Sequence, residues 1–226
     1  MNYGIVFADE MEYLPFAEYV KSKYEFREKT RRGNESIEFP IGKDYIIAVK
    51  CGIGKVNAST AAAFLIADDG AEAIINAGLA GGIKNVVRGD VVVGISSIEC
   101  DFDVSVFGYP LGKKPGEESE CKYFDEKMTE QFLKIYPNYK KALLGCGDFF
   151  MHGEKGADYK DIFNIEVFDM ESGAIASVCE KAGIPCMSIK KISDNADDTA
   201  ADDYAEVNDK AEITLTNIIF GFLENR

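Results

Sequence analysis

The chemistry open to this chain is carboxylate chemistry. It has one histidine, His152, against 39 Asp and Glu, so a Ser-His-Asp arrangement or a histidine-rich metal site has little to build on and proton transfer falls to acids. Two of those acids are set by one stretch, residues 166–194. Glu166-Val167-Phe168 reads as a strand end running into Asp169-Met170-Glu171; a helix follows, and a second strand finishes at Ile192-Ser193-Asp194. In open α/β sheets ligands bind beyond the carboxyl ends of strands, where Met170, Glu171, Ser193 and Asp194 are expected. A helix cap and an acid in a turn account for the same residues with no ligand at all. A third acid, Glu12, falls where the first strand gives way to a helix, and the helix dipole by itself favours acids there.

The elements that must hold these groups follow from periodicity. Asp169 is expected to cap a helix in which Met170, Ala174, Ile175, Val178 and Cys179 recur at helical spacing, with Gly183 and Pro185 ending it. Residues 186–192 have the length and apolar content of a buried strand, and a connection of this length predicts a parallel βαβ unit. Upstream, 3–7 reads as a buried strand, and Tyr13, Phe16, Ala17 and Val20 as the apolar face of the next helix. Strands separated by turns fill 24–50, the clearest at 45–49.

Cys51-Gly52-Ile53-Gly54-Lys55-Val56 opens an Ala-rich helix reaching about Asp69. Its GxGK turn lacks the spacer of a phosphate loop, and glycines for tight strand-to-helix packing explain it equally. The strand 73–77 leads into Gly78-Leu79-Ala80-Gly81-Gly82, small enough for a flat ligand to approach the backbone. Further strands are expected at 91–93 and 142–149, a helix over Glu126–Ile135, an acidic loop over 197–203 and a terminal helix ending near Glu224. Of Phe149 and Phe150, both suit a core and one suits stacking on a base. The loop 102–116 carries Phe107, Tyr109 and Leu111, apolar enough to predict cover by a second subunit. Strands alternating with helices, with no linker between them, predict one three-layer α/β domain.

At 226 residues and 46% hydrophobic content the chain can bury a substantial core. A net charge of −14 and a pI near 4.6 repel phosphate backbones and anionic lipid, so neither nucleic acid nor membrane is an expected partner. No basic leader and no long apolar run is present, which predicts a cytoplasmic protein. The six cysteines form no CxxC pair and are expected as buried thiols, with neither disulfide nor zinc.

Five segments then stand in order across nearly the whole chain: Cys-Gly-Ile-Gly-Lys-Val-Asn at 51–57, Asn-Ala-Gly-Leu-Ala-Gly-Gly at 76–82, Asp-Val-Ser-Val-Phe-Gly-Tyr at 103–109, Met-Glu-Ser-Gly-Ala at 170–174 and Ile-Ser-Asp-Asn-Ala-Asp at 192–197. Together they resemble the 5′-methylthioadenosine/S-adenosylhomocysteine nucleosidases, within the wider purine nucleoside phosphorylase and nucleosidase family. The resemblance implies an α/β/α sandwich on a central mixed, partly barrel-like sheet. It implies hydrolysis of an N-ribosidic bond, releasing adenine, with no cofactor or metal.

It also implies roles. Asp194, positioned by Ser193, is the general acid at N7 of the base; Glu12 activates water; Glu171 and Met170 clamp the ribose. Phe150 stacks on the base and Met151 reads its edge through backbone atoms. Ile53, Tyr204 and, from a second subunit, Val104, Phe107 and Pro115 line the pocket for the 5′ substituent, which implies a homodimer with shared sites. Burial is expected to raise the pKa of Asp194 while Glu12 stays ionised, since environment must push the two roles apart.

Three positions depart from the family pattern. Asp9 stands where methionine is usual, close to the ribose and sulfur, and an acid there points to a more polar 5′ group. Leu79 replaces a serine near the acid and the base edge. Lys190 replaces an arginine, keeping the charge and losing the bidentate fork. Two other readings remain. A phosphorylase wants arginines around phosphate, and none of Arg27, Arg31, Arg32, Arg88 and Arg226 lies at the first strand-to-helix junction. A non-catalytic nucleoside-binding protein would need no acid and base on opposite sides of the bond.

Overall fold

The computed structural model describes the backbone of residues 1–206 and 209–226, with their side chains except those of 154–158 and 209–212. The first strand, β1 (Asn2–Phe7), is buried from Tyr3 onward, as an apolar strand with parallel neighbours on both edges should be. Those neighbours are β4 (Asp44–Lys50) and β5 (Ala73–Gly82). Beyond β4 an antiparallel pair, β3 (Asn34–Ile41) and β2 (Arg27–Arg31), extends the sheet. It ends in the charged run Arg-Glu-Lys-Thr-Arg, which protects an exposed edge from pairing with other chains.

The architecture turns on β5. One edge pairs in parallel with β10 (Cys186–Asp194), from Cys186↔Ile74 to Asp194↔Gly81. The other pairs with β1 only as far as Asn76, and from Gly81 with β9 (Val167–Asp169), antiparallel. From β9 the ladder passes to β8 (Lys140–Cys146), to β6 (Val91–Glu99) and back to β10. Five strands thus close into a small barrel continuous with the flat part of the sheet, and a short strand, β7 (Cys121–Tyr123), adds to β6. The small residues of 77–82 let β5 leave β1 and enter the barrel wall at little steric cost.

One expectation is corrected here. The strands on either side of the 166–194 helix do not form a parallel βαβ unit: β9 runs against β5 and β10 runs with it, so the two oppose each other. Ring closure places them on opposite edges of β5, where Phe168 and Asp194 both register with Gly81. Barrel pairing also carries β5 through its glycine run to Gly82 and β6 to Glu99, beyond the lengths their apolar cores predicted.

Helices cover both faces. On one, α1 (Glu10–Lys23), α3 (Glu126–Ile135) and α7 (Asp209–Asn225) pack around Phe7, Phe16, Phe39, Phe132 and Phe220. Phe16 and Phe220 stack at 4.9 Å. On the other, α2 (Lys55–Ala67) and α5 (Ser172–Ala182) meet through Ala58, Ala61, Ala62, Ile175 and Ala176, small residues that permit close approach. Two helices carry no clear sequence signal, α4 (Gly153–Phe163) and α6 (Ala200–Ala205); the latter begins inside the expected acidic loop 197–203 and runs past it. No helix among the described residues is long and apolar enough to cross a membrane.

Candidate active site

Between Asn76 and Gly81 one edge of β5 has lost β1 and not yet met β9, and a backbone donor there must find another acceptor. Leu79 N–H finds Glu12: it donates to Oε1 at 2.7 Å. Glu12 Oε2 accepts from Ala8 N–H at 2.8 Å and Asp9 N–H at 3.4 Å, while Asp9 Oδ1 accepts from Glu12 N–H at 3.1 Å. The acids at the start of α1 therefore make a capping box and in the same act pin the Glu12 carboxylate at the gap in the sheet. A Cβ on Gly78 would overlap that carboxylate.

Across the cavity, Asp194 ends β10. Its Oδ2 accepts from the Ser193 hydroxyl at 2.7 Å and its Oδ1 from Ala196 N–H at 2.9 Å. Glu171 Oε1 accepts from Gly54 N–H at 3.0 Å, and Asp148 Oδ1 from Lys55 N–H at 2.8 Å. The amides at the start of α2, the anion site a phosphate loop would use, are thus occupied by the protein's own carboxylates. Gly54 adopts φ +99° to present its N–H.

Behind the wall lies Lys190, 1% exposed, its Nζ 2.7 Å from Asp169 Oδ2 and 4.0 Å from Glu171 Oε2. Asp169 also accepts from Ser172 N–H at 3.2 Å and from its hydroxyl at 2.6 Å. The expected cap is corrected: the N-cap position of α5 belongs to Glu171 and Met170 lies outside the helix, while Asp169, the last residue of β9, still accepts from the first helical N–H.

A cavity of about 300 Å³ opens among these groups, within the range of small-molecule pockets. Of the residues singled out from sequence, Asp9, Glu12, Ile53, Leu79, Phe150, Met151, Met170, Glu171, Ser193, Asp194 and Tyr204 line it. Lys190 does not; it reaches the cavity only through Asp169 and Glu171. Val104, Phe107 and Pro115 lie outside the lining as well, on the loop 102–116, where Phe107 closes a single 3-10 turn (Ser105–Phe107) and is 76% exposed. Ala80 and Gly81, of the small-residue run expected to admit a ligand, and Phe149, of the aromatic pair, line it too; Ala8, Phe168, Ala201 and Asp169, expected only as a cap, join them without a sequence signal. Ala80 and Gly81 were legible as small residues after a strand, whereas Phe168, against which Phe149 packs at 4.9 Å, looks in sequence like any core aromatic.

Electrostatics correct one further expectation. Burial pushes Glu12 up to about 8, with Asp9 and Glu171 adding to the rise while Lys190 and the Leu79 amide oppose it. Asp194 is also raised by burial, against the bonds from Ser193 and Ala196, and so is Glu171. Glu12 is thus not simply ionised. A base is most effective when its pKa lies near the operating pH. Burial disfavours the Lys190 ammonium, yet Asp169, Glu171 and Glu12 hold its pKa above the ordinary value. Among the described residues no cluster suited to a metal ion occurs.

The sequence profile of the phosphorylase superfamily matches residues 2–224. The chain belongs to this superfamily. Within it, the chain is 30% identical over 213 residues to the aminodeoxyfutalosine nucleosidase of Campylobacter jejuni, spanning 91% of both. It is 33% identical over 190 residues to the 5′-methylthioadenosine/S-adenosylhomocysteine nucleosidase of Buchnera aphidicola, spanning 80% of both. Among solved structures it is similar to the Helicobacter pylori 5′-methylthioadenosine/S-adenosylhomocysteine nucleosidase with butyl-thio-DADMe-Immucillin-A. That match has a TM-score of 0.95 at 25% identity and covers 100% of this chain and 99% of the other. The barrel-bearing mixed sheet is therefore the superfamily's sheet, and the cavity at its strand ends is this member's candidate active site.

Proposed function

We propose that this site hydrolyses the N-ribosidic bond of adenine nucleosides of the 5′-methylthioadenosine/S-adenosylhomocysteine type. One observation carries the reading beyond the superfamily. Asp9, Glu12, Asp169, Glu171 and Asp194 line the cavity, and none of the described lining residues is Lys, Arg or His. Such a wall favours a sugar that gains positive charge as the bond breaks and offers phosphate no cation to hold it, so water is the nucleophile. The α2 amides already engaged by Glu171 and Asp148 argue the same way.

In this mechanism the C1′–N9 bond breaks as Asp194, protonated, gives its proton to N7, so that adenine leaves neutral. Glu12 takes a proton from water as the water oxygen bonds to C1′. Glu171 accepts from the ribose hydroxyls, Met170 packs on the sugar and Phe150 on the base. We further propose a homodimer in which loop 102–116 brings Val104, Phe107 and Pro115 to the neighbour's 5′ pocket. The exposure of Val106 and Phe107 supports it, because apolar side chains clustered on a loop call for cover. Six free thiols suit a reducing, cytoplasmic setting.

The test is chromatographic detection of adenine from a nucleoside panel, with and without phosphate. Release independent of phosphate is expected. Phosphate-dependent release would make the protein a phosphorylase, and binding without release would make it a binding protein. For the dimer, Phe107→Asp should shift sedimentation toward the monomer and lower activity; unchanged sedimentation would count against it.

A further inference from the structure

We infer that Asp9 and Tyr204 form a polar subsite that favours nucleosides with a hydrogen-bond donor on C5′, a hydroxyl or an amine, over those with a thioether. The inference rests on the ribosyl-hydrolase reading and ranks substrates within it. Apart from Asp169, which Lys190 holds from behind, the polar side chains of the lining fall into three stations: Asp194 with Ser193, Glu171, and Asp9 with Glu12 and Tyr204. A nucleoside likewise offers three polar regions, the base, the ribose hydroxyls and the C5′ substituent. With the first two engaged by Asp194 and Glu171, the third faces Asp9.

The pair is built to accept. Tyr204, carried in on α6, donates its one hydroxyl proton to Asp9 Oδ2 at 2.7 Å, and its ring is steadied edge-on against Phe150 at 5.8 Å. What the phenol oxygen and the carboxylate still present to the cavity is lone pairs. A carboxylate has about four acceptor sites; Glu12 N–H and the Tyr204 hydroxyl use two. Capping of α1 needs Oδ1 alone, so it does not explain why a residue 195 positions away delivers a hydroxyl to Oδ2 inside the cavity wall. A donor on C5′ completes the station. A thioether strips water from it and returns no hydrogen bond, a loss that falls on the binding of the substrate.

The experiment measures kcat/KM for adenine release, and Kd by calorimetry, on the full chain with adenosine, 5′-amino-5′-deoxyadenosine, 5′-deoxyadenosine and methylthioadenosine. The two donor-bearing nucleosides should exceed the other two by about tenfold or more, the effect of one hydrogen bond to a charged acceptor. In Asp9→Asn, and in Asp9→Ser, which keeps a helix-capping oxygen, the ratio should fall below about threefold. Using ratios removes the effect of either change on Glu12. Equal or better use of methylthioadenosine by the unaltered protein, or an unchanged ratio in a folded variant, overturns the subsite. If no nucleoside releases adenine, the hydrolase reading fails, and the Kd order by itself supports or overturns the subsite.

Discussion

Lys190→Met should destabilise this protein far more at about pH 9 than at about pH 5. The ammonium sits 2.7 Å from Asp169 and 4.0 Å from Glu171 in a site from which water is excluded. At an effective dielectric of about 20, those separations correspond to about 6 and about 4 kcal/mol of gross attraction, much of which offsets the desolvation of the lysine. Methionine recovers the desolvation but leaves three buried acids without their cation, so the net loss at about pH 9 is expected to be about 3–5 kcal/mol. Against a typical domain stability of about 5–15 kcal/mol that is severe.

The pH dependence follows from burial and charge. Burial raises Glu12 and Glu171, and the Lys190 charge pulls both down; without it both rise further. A carboxylate raised above its unfolded value of about 4.3 favours the folded state fully below that value and loses that contribution as pH climbs through the folded one. The excess loss in the variant therefore opens, for each acid, only above its folded value with Lys190 present and grows up to the higher value it takes without it, so the Glu12 share appears above about 8. Urea unfolding of both proteins at several pH values measures it. A loss below about 1 kcal/mol at about pH 9, or the same loss at both ends, would refute the account of Lys190 as the counter-charge of this site.

Asp194→Asn and Glu12→Gln should each lower kcat by about 10²–10⁴-fold, the usual contribution of one acid or base, while nucleoside binding stays measurable by calorimetry; near-normal turnover in either removes its role. Gly78→Ala puts a methyl into the Glu12 carboxylate and should cut kcat at least about a hundredfold for about 1–3 kcal/mol of stability; a fully active variant would mean that Glu12 can act from elsewhere. Asp9 is among the charges that lift Glu12, so Asp9→Asn should move the acid limb of the kcat/KM profile to lower pH. A limb that stays put, or moves up, would show that Glu12 does not set it.

Much of this protein is local in origin and could be read along the chain. The apolar run at 3–7 and the mostly apolar 186–192 read as buried strands, and Gly183 with Pro185 as a helix end. Poverty in histidine and wealth in acids confine the chemistry to carboxylates. The acids at α1 also illustrate how one residue answers two demands: Asp9 is a cap by its position and a cavity residue by its second oxygen.

What sequence could not decide is which strand edges meet, because pairing is settled by many small non-local differences and no single residue announces them. Only the closed barrel takes β5 from β1 to β9, setting Phe168 and Asp194 on either side of Gly81 and leaving Leu79 N–H for Glu12. Only tertiary packing puts Lys190 behind the cavity wall, and only burial lifts Glu12 toward neutrality. The types of the proposed catalytic groups belong to the sequence, since they are side chains. Their strengths and mutual positions belong to the fold, since water exclusion and distance arise only when distant segments meet.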